Sequence, residues 1–283
     1  MAKTTIWVVG AKGRLGSELV NRLKGIPGNK IIGTDIDVDI TDSDAVEQAA
    51  DIYRPNIIIN CASISEIDEC EADKVKAYKV NALGVRNLAT ASRRIGARII
   101  QMSTDDVFDG AEEGCFSEFD TPQPKSVYAK SKLAGENYVR ELNPKHLIIR
   151  SSWVYGSGSE NPDYYKKCID RAAKGESFTA AENRISTPTS AWALAKAISV
   201  LIDEGEYGIF HASSEGECSR YEYARKVLEL NGYDPDLVKP TSRIEDKSST
   251  LLDNLMMKMT DVFEMPTWQE DMQRFVNYLK EEE

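Results

Sequence analysis

The chain has 283 residues, a formal net charge of −11 at pH 7, and 41% hydrophobic and 29% charged residues. This size and composition are typical of a soluble globular enzyme with one large domain or two small ones, and with a core that needs no disulfide bonds. The acidic balance argues against nucleic acid or an anionic membrane as a partner. A local basic pocket for a phosphate group is still compatible with it.

The cysteines and histidines indicate the cellular compartment of the protein and whether a metal site is expected. The five cysteines are odd in number, widely spaced and contain no C-x-x-C pair, which predicts reduced thiols in the cytosol. His146 and His211 lie in apolar, strand-like runs, so we interpret them as core residues and predict no metal site. Without a signal-peptide pattern or a run of ~18 apolar residues, we expect a cytoplasmic protein with no membrane-spanning segment.

The first motif is a glycine-rich turn between a predicted strand and a predicted helix. The apolar run Thr4 to Val9 suits a buried parallel strand, and the segment G-A-K-G-R-L-G, from Gly10 to Gly16, follows it. At such a turn the backbone amides and the positive end of the helix bind a pyrophosphate, and glycine lets the backbone approach closely. The spacing is G-x-x-G-x-x-G rather than G-x-G-x-x-G, but its place after the first strand predicts a dinucleotide site.

Two further strand ends support a nucleotide site. Asp35 follows the predicted strand Lys30 to Thr34, where a carboxylate bonds the adenosine ribose hydroxyls and repels a 2′-phosphate. A solvated loop acid is the alternative for Asp35, because other aspartates lie nearby. Ile40 could pack against an adenine ring, and Ala62-Ser63 leaves room for the dinucleotide after a third strand. The expected cofactor is NAD(H) or NADP(H), with Asp35 favouring NAD(H).

Strands and helices alternate through the first half of the chain. We predict a long helix from about Ala72 to Ile95, a strand Ala97 to Met102, a helix Val127 to Leu142 and a strand His146 to Arg150. This alternation predicts an α/β fold with a Rossmann-type, doubly wound parallel sheet. Residues 1–150 form the predicted dinucleotide-binding domain, to which segments near 185–212 return. Residues 151–283 form mainly a smaller, substrate-binding part.

The stretch from Gln101 to Lys132 carries the chemistry. It contains Thr104 at a strand end, acidic side chains at 105, 106 and 109, and a Tyr128-x-x-x-Lys132 pair on one helix face. Such a spacing is expected about once by chance in this chain, so only its context gives it meaning. A lysine there favours the phenolate. Beside a nicotinamide, Thr104 would bond a substrate carbonyl oxygen, Tyr128 would supply its proton, and Lys132 would bind the nicotinamide ribose and tune the phenol.

With these residues the chain resembles the extended short-chain dehydrogenase/reductases, and among them the dTDP-4-dehydrorhamnose reductase family. The resemblance is carried by G-A-K-G-R-L-G, D-I-T-D, R-P-N-I-I-I-N-C-A-S, V-N-A-L-G-V-R-N-L-A, S-T-D-D-V-F-D-G, Y-A-K-S-K-L-A-G-E and R-S-S-W-V-Y-G, in this order. It implies reduction of a keto group on a nucleotide-activated deoxysugar. The implied catalytic residues are Thr104, Tyr128 and Lys132, with Asp105, Asp106 and Trp153 beside the sugar. The implied cofactor residues are Gly10, Gly13, Arg14, Leu15, Gly16, Asp35, Asp39, Ile40, Ala62, Ser63, Tyr128 and Lys132.

The chain departs from this family at two places. The family usually has S-T-D-Y-V-F, where this chain has Asp106, and it commonly has R-P-x-x-S-x-L, where the segment Asp246 to Asn254 lacks the arginine and proline. Lys247 can replace only the point charge of that arginine. We interpret Asp106 as a specificity residue. A reductase or epimerase of another nucleotide sugar, and a non-catalytic cofactor-binding regulatory relative, are the alternatives. The sequence leaves the oligomeric state open, with a homodimer among the options, as well as any need for a divalent ion.

Overall fold

The computed structural model describes residues 4–108, 110, 114–157, 162–243 and 248–282. Asp109, Asp246 and Lys247, considered above, lie outside these residues. The described strands are β1 Thr4–Val9, β2 Asn29–Thr34, β3 Ile57–Asn60, β4 Arg98–Thr104, β5 Cys115–Phe116, β6 His146–Ser151, β7 Val154–Tyr155, β8 Phe178–Ala181, β9 Arg184–Ser186, β10 Thr189–Ser190, β11 Gly208–His211, β12 Cys218–Ser219, β13 Val238–Thr241, β14 Ser248–Ser249 and β15 Leu251–Leu252. The described α-helices are α1 Arg14–Lys24, α2 Ser43–Tyr53, α3 Ile67–Ala72, α4 Lys74–Tyr78, α5 Val85–Arg94, α6 Val127–Leu142, α7 Tyr164–Ala173, α8 Ala191–Asp203, α9 Arg220–Leu230, α10 Leu255–Thr260 and α11 Trp268–Glu282.

A six-stranded sheet in the order β11-β6-β4-β3-β1-β2 is the centre of the fold. Every neighbouring pair in it is parallel, which confirms the predicted α/β class. The chain leaves β1 toward β2 on one side and returns to β3 on the other, so the strand order reverses between β1 and β3. In open α/β sheets such a switch point opens a crevice beyond the carboxyl ends of the strands. The glycine turn after β1 and the small residues after β3 therefore border the same crevice.

Both faces of the sheet are covered. In β1, Ile6 and Val8 pack toward α1 and α8, whereas Trp7 and Val9 pack on the opposite face with residues of α2, α5 and α6. This alternation explains why the strand is apolar at every inner position, since a parallel sheet between two helical layers buries both faces. The indole N–H of Trp7 donates to Thr34 Oγ1 at 2.8 Å, which satisfies the one polar group that this side chain buries.

The predicted long helix from about Ala72 to Ile95 is confirmed in its extent, because α4, a π-helical segment Lys79–Gly84 and α5 follow one another without interruption from residue 74 to residue 94. The π-helical segment inside it was not predicted, and the Asp73 side chain caps the start of the helix by accepting from Lys76 N at 2.9 Å. The π-helical segment contains Asn81, whose side chain bonds both the N–H and the C=O of Ile64 at 2.9 Å. A π-segment inside a helix often marks a functional site. Here it fixes the loop that follows β3.

The residues that follow β6 belong to two separate hydrophobic cores. Strand β11 joins the main sheet and α8 packs against α1, whereas Tyr155, Tyr223 and Phe275 belong to a separate aromatic core with α7, α9 and α11. The buried Asp271 joins α11 to the start of α8, because it accepts from Ser190 N at 2.6 Å and from Ser190 Oγ at 2.5 Å. None of the helices described is both long enough and apolar enough to cross a membrane.

Candidate active site

The glycine turn after β1 depends on residues without a side chain. Gly10 has φ +75°, and a Cβ there would lie 2.7 Å from Ala62 N; a Cβ at Gly16 would lie 2.1 Å from Gly10 O. Both distances are shorter than any tolerable contact, so the turn and the helix can approach β3 only with glycine. Gly13 is the N-cap of α1, with φ −72°, and within the described residues no side chain caps this helix end. A helix N-terminus of this kind binds anions through its backbone amides.

A cavity of about 1190 Å³ lies against this turn at the switch point. It is large enough for a dinucleotide, because ligand sites commonly have ~300–1,000 Å³. The predicted cofactor residues that line it are Gly10, Gly13, Asp35, Asp39, Ile40, Ala62 and Ser63.

The acidic residues of this cavity have local partners. The Asp35 carboxylate accepts from Lys12 N at 3.0 Å and from Ile36 N at 3.1 Å, so it is fixed at the rim. Asp39 accepts from Thr41 N at 2.8 Å and shapes the turn before α2. Ile40 is 5% exposed and packs in the sheet core, so it presents only a small surface to the cavity.

A second cavity, of about 610 Å³, continues from the first toward α6. Both cavities are lined by Gly13, Cys61 and Ser63, so they meet beside the glycine turn. The remaining predicted cofactor residues line this second cavity: Arg14, Leu15, Gly16, Tyr128 and Lys132. The cofactor residues expected from the sequence therefore lie along one continuous groove, from the end of β2 to the start of α6.

Thr104 ends β4, directly after Ser103, which lines the second cavity. Its Oγ1 accepts from Asp106 N at 3.1 Å and lies 3.2 Å from Asp105 Oδ1 and 3.4 Å from Asp106 Oδ2. Thr104 is only 6% exposed. One buried hydroxyl thus contacts both carboxyl groups that follow β4.

The expectation that Asp105 faces the sugar needs correction. Asp105 is 3% exposed, and its Oδ2 accepts from Ser152 Oγ at 2.9 Å, Ser186 Oγ at 3.0 Å and Thr250 Oγ1 at 2.6 Å. These donors follow β6, end β9 and precede β15. A buried carboxylate needs such donors, since desolvation without them costs several kcal/mol. Asp105 therefore joins four segments around the site instead of pointing into the open groove.

Asp106 is more accessible than Asp105, since Asp106 is half-buried whereas Asp105 is buried. Burial, together with the neighbouring charge of Asp105, raises the pKa of Asp106 to about 7, against the opposing effects of Arg184 and Arg220. Arg184 comes from β9 and Arg220 from the first position of α9, so the positive charges of two later elements act on the pKa of the acid after β4. No sequence motif indicated these arginines.

Tyr128 lies in the first turn of α6, next to the Thr104 hydroxyl. Burial and the charge of Asp106 raise the pKa of Tyr128 well above the ordinary value for tyrosine, while the polar Thr104 side chain opposes the shift. This differs from the expectation that Lys132 would favour the phenolate. The lysine ammonium instead donates to the Met102 carbonyl at 2.8 Å. The phenol is consequently a protonated group near neutral pH, as a proton donor must be.

Lys132 lies one turn of α6 before the acid of a buried ion pair. Burial lowers its pKa to about 8, and Glu136, one turn later on α6, acts in the opposite direction. Glu136 is 0% exposed and forms a bidentate pair with Arg150, with Nε–Oε1 at 3.0 Å and Nη2–Oε2 at 2.7 Å. Arg150 Nη1 also lies 3.5 Å from His211 Nε2. A buried ion pair of this geometry fixes the orientation of the groups beside it.

Trp153 has a strained backbone conformation, and its ring packs against a cation. Its φ is +40°, a conformation that bulky residues rarely adopt and that occurs mainly at functional sites. The Arg220 guanidinium carbon lies 3.5 Å from the centroid of the Trp153 ring and 4.8 Å from that of Tyr164. The Arg220 guanidinium thus packs against the rings of both Trp153 and Tyr164. Only Trp153 was predicted, and it was predicted through the family resemblance.

Asn81 is a further residue that the sequence did not assign to the site. Besides its bonds to Ile64, its Nδ2 donates to Ser131 Oγ at 3.0 Å, and Ser131 precedes Lys132 on α6. Its helical surroundings gave a signal only for helix. The asparagine therefore fixes α6 relative to the loop after β3, and so it fixes Tyr128 and Lys132 relative to the cofactor groove.

The fold and the arrangement of these residues define a class of protein. A Rossmann-type sheet with a glycine turn at the switch point, and a threonine–tyrosine–lysine group at the neighbouring strand end, is the architecture of short-chain reductases and epimerases. The family model described as the RmlD substrate binding domain matches residues 4–281.

Individual proteins agree with this match. The dTDP-4-dehydrorhamnose reductase of Mycobacterium tuberculosis is 38% identical over 83% of this chain and 78% of its own length. A crystal structure of a dTDP-4-dehydrorhamnose reductase from Clostridium acetobutylicum has a TM-score of 0.92 and 37% identity, and the match covers 98% of this chain and 100% of that one. The corresponding Bacillus anthracis structure, in complex with NADP, has a TM-score of 0.91 and 33% identity, over 96% and 98%. The chain belongs to the dTDP-4-dehydrorhamnose reductase family.

Proposed function

We propose that this protein is an NAD(P)H-dependent reductase of a keto group on a nucleotide-activated 6-deoxysugar, with dTDP-4-dehydrorhamnose as substrate and dTDP-rhamnose as product. The observation that carries the proposal is that Tyr128 and Lys132 line the same cavity as the glycine turn, beside the strand end that bears Thr104. A carbonyl oxygen bound there would accept from the protonated phenol of Tyr128 and from the Thr104 hydroxyl. The names of the family members given above support the choice of sugar.

The groove fits a nicotinamide dinucleotide. The turn at Gly10 and Gly16 has no space for a Cβ, and the N-terminus of α1 at Gly13 offers backbone amides for a pyrophosphate. Asp35 would hold the adenosine ribose, and Lys132 would face the nicotinamide ribose. When bound, the reduced nicotinamide supplies the hydrogen and the electron pair that the carbonyl carbon accepts.

The chain's own residues supply orientation and the proton. Tyr128 would donate its phenolic proton to the carbonyl oxygen, and Thr104 would hold that oxygen by a second hydrogen bond. Lys132 is fixed by the Met102 carbonyl and by the charge of Glu136. With a pKa near 8, the ammonium is charged at neutral pH. It would therefore stabilise the negative charge that develops when Tyr128 loses its proton.

The sugar nucleotide would lie on the side of the groove formed by later residues. In this proposal residues 1–150 hold the cofactor and residues 151–283 provide mainly the substrate side, where the Arg220 guanidinium packs on the Trp153 ring. Neither nucleic acid nor a membrane takes part in the reaction. We assign the protein to the cytoplasm, in keeping with its cysteine usage, and propose no particular oligomer.

Oxidation of NADH and NADPH in the presence of a panel of 4-keto sugar nucleotides tests the proposal. We expect stoichiometric cofactor oxidation with dTDP-4-dehydrorhamnose and formation of the corresponding alcohol. Cofactor binding with no turnover on any sugar would identify a regulatory relative. Sugar isomerisation without net cofactor oxidation would identify an epimerase. Oxidation with a different sugar alone would keep the reaction and replace the substrate.

A further inference from the structure

The carboxylate of Asp105 joins the end of β4 to three later segments of the chain. Its Oδ2 accepts from Thr250 Oγ1 at 2.6 Å and from Ser152 Oγ at 2.9 Å. Ser186 Oγ lies 3.0 Å from the same oxygen and 2.9 Å from the Thr250 carbonyl oxygen, so its single proton can serve either acceptor. All four residues are at most 7% exposed. Because water has no ready access to replace a lost partner there, the four groups depend on one another.

The bond from Thr250 is the strongest of these contacts. A hydroxyl that donates to an ionised carboxylate typically lies about 2.5–2.7 Å from it, and the Thr250 distance of 2.6 Å falls in this range. Thr250 lies between β14 and β15, where its backbone N–H donates to the Ile185 carbonyl at 3.3 Å. Thr250 is thus bonded to β9 through its backbone and to Asp105 through its side chain.

The bond from Ser152 bears on the substrate side of the site. Ser152 directly precedes Trp153, whose φ of +40° is strained and whose ring packs against Arg220. A strained conformation persists only where surrounding contacts enforce it, and the Ser152–Asp105 bond is such a contact at the start of the turn. Asp105 in turn directly follows Thr104, and its Oδ1 lies 3.2 Å from the Thr104 hydroxyl oxygen. The same carboxylate thus contacts Thr104 and the residue before Trp153.

We propose that Asp105 is a positioning residue, which sets the place of Trp153 relative to Thr104. Thr250 is the donor that holds the carboxylate in the orientation that this requires. The role rests on the proposed reductase function, because a sugar must contact Trp153 while its keto group meets the Thr104 hydroxyl. Direct contact between Asp105 and the sugar is not part of it, since the described residues that line the two cavities do not include Asp105.

Thr250→Val tests this role, because valine keeps the branched shape of threonine and removes the hydroxyl donor. With NADPH and dTDP-4-dehydrorhamnose, kcat/KM for the sugar should fall by roughly tenfold, below the ~10²-fold that a 1 Å misplacement can cost. The KM for the sugar should rise and kcat should fall, while the calorimetric Kd for NADPH stays unchanged. Thr250→Ser keeps the hydroxyl and should restore most of the loss.

Thr187→Val is the matched control. Thr187 is 2% exposed, and its Oγ1 donates to the Gly216 carbonyl at 2.6 Å, so this variant loses a buried bond of the same length in which Asp105 takes no part. Both valine variants should be destabilised to a similar degree in thermal unfolding, but only Thr250→Val should change the kinetic constants. Equal kinetic constants for the two variants would make the Thr250 bond a purely structural contact and overturn the proposal.

A double-mutant cycle with Asp105→Asn separates positioning from direct contact with the sugar. If the two residues act through their shared bond, the variant with both Asp105→Asn and Thr250→Val should be little slower than Asp105→Asn alone. Losses that multiply would show that Asp105 contacts the sugar itself and would overturn the proposal. The valine and serine variants of Thr250 decide the question even where Asp105→Asn does not fold.

The position of Trp153 can also be measured without turnover. In NMR spectra of the indole N–H groups, the signal that is absent from Trp153→Phe belongs to Trp153. This signal should shift in Thr250→Val and not in Thr187→Val, and an unshifted signal in Thr250→Val would overturn the positioning role whatever the activity. A wild type that oxidises NADPH with none of the 4-keto sugars would instead remove the proposed function, and with it the reaction that Asp105 is proposed to serve.

Discussion

The two ends of the groove are built on different physical principles. At the cofactor end, backbone segments approach closely because Gly10, Gly13 and Gly16 have no side chain. The reaction end consists of half-buried and buried side chains, such as Asp106, Tyr128 and Lys132, whose pKa values are shifted chiefly by burial. The first end binds by shape and backbone dipoles, and the second acts through titratable side chains. Substitutions should therefore change affinity at one end and turnover at the other.

The largest expected effect is at the reaction end. Tyr128→Phe keeps the ring and removes only the hydroxyl, so turnover should fall by the ~10²–10⁴-fold typical of a lost general acid, while cofactor affinity stays unchanged. Steady-state kinetics and calorimetric titration of cofactor measure the two quantities. Tyr138→Phe, a half-buried tyrosine on the same helix, is the control. Wild-type turnover in Tyr128→Phe would show that another group donates the proton.

At the cofactor end, Gly13→Val should weaken dinucleotide binding by about tenfold or more, which is ~1.4 kcal/mol, without unfolding the protein. The N-cap residue has φ −72°, so valine is not strained there, but its side chain would enter the groove. Gly25→Val is a closely matched control: Gly25 lies at the other end of α1, and an added Cβ would also meet a carbonyl oxygen at 3.3 Å. Equal affinities of the two variants for NADH would contradict the assignment of the turn.

A smaller effect concerns how the stability of the folded protein depends on pH. Burial and the nearby Arg150 lower the pKa of His211 to about 3, so in the folded state its imidazole stays neutral well below the ordinary value of 6.5. The unfolded chain takes up a proton in this interval and the folded chain does not. Stability from this group is thus fully present above about pH 6.5 and is lost as pH falls, by roughly 1.4 kcal/mol per pH unit.

Denaturant unfolding at several pH values measures this loss. His211→Asn has no titrating ring, so the difference in unfolding free energy between wild type and variant should shrink on acidification. A difference that is constant between about pH 6.5 and about pH 4.5 would show that the imidazole is protonated in the folded protein.

The smallest predicted effect is the choice between cofactors. Asp35 should favour NADH over NADPH, because its fixed carboxylate would lie near a 2′-phosphate. Two unit charges about 4 Å apart in water repel by ~1 kcal/mol, or about fivefold in affinity. Titration of both cofactors into wild type and Asp35→Asn measures it. Tighter binding of NADPH by the wild type would mean that the positive charges of Lys12 and Arg14 outweigh the carboxylate.

The cofactor end was predictable from the sequence because its signals are local. A strand, three glycines and a helix start follow each other between Thr4 and Lys24, and the position of Asp35 after β2 depends on one further strand. Helix α6 was predicted with its observed ends, because apolar periodicity sets its length. Family resemblance supplied the expectations that local pattern could not, namely the proposed sugar and the proposed place of Trp153 beside it.

The reaction end was less predictable because its contacts join distant parts of the chain. Thr250 is 145 residues from Asp105, to which it donates, and Arg184 and Arg220 reach Asp106 from elements in the second half. Asn81, in the π-helical segment, bonds to Ile64, 17 residues earlier, and helical periodicity carries no signal for such a contact. The expected tuning of Tyr128 by Lys132 considered charge alone, whereas desolvation is the larger effect in the folded protein.

The most direct test of the central claim is to follow the reducing hydrogen itself. The wild-type enzyme would be given dTDP-4-dehydrorhamnose and a reduced cofactor carrying deuterium at the transferred position of the nicotinamide, and the product examined by NMR and mass spectrometry. We expect one deuterium per product molecule, bound to the sugar carbon that carried the keto group, and one equivalent of oxidised cofactor. A converted sugar without deuterium at that carbon, or no conversion while the cofactor stays bound and reduced, would contradict it.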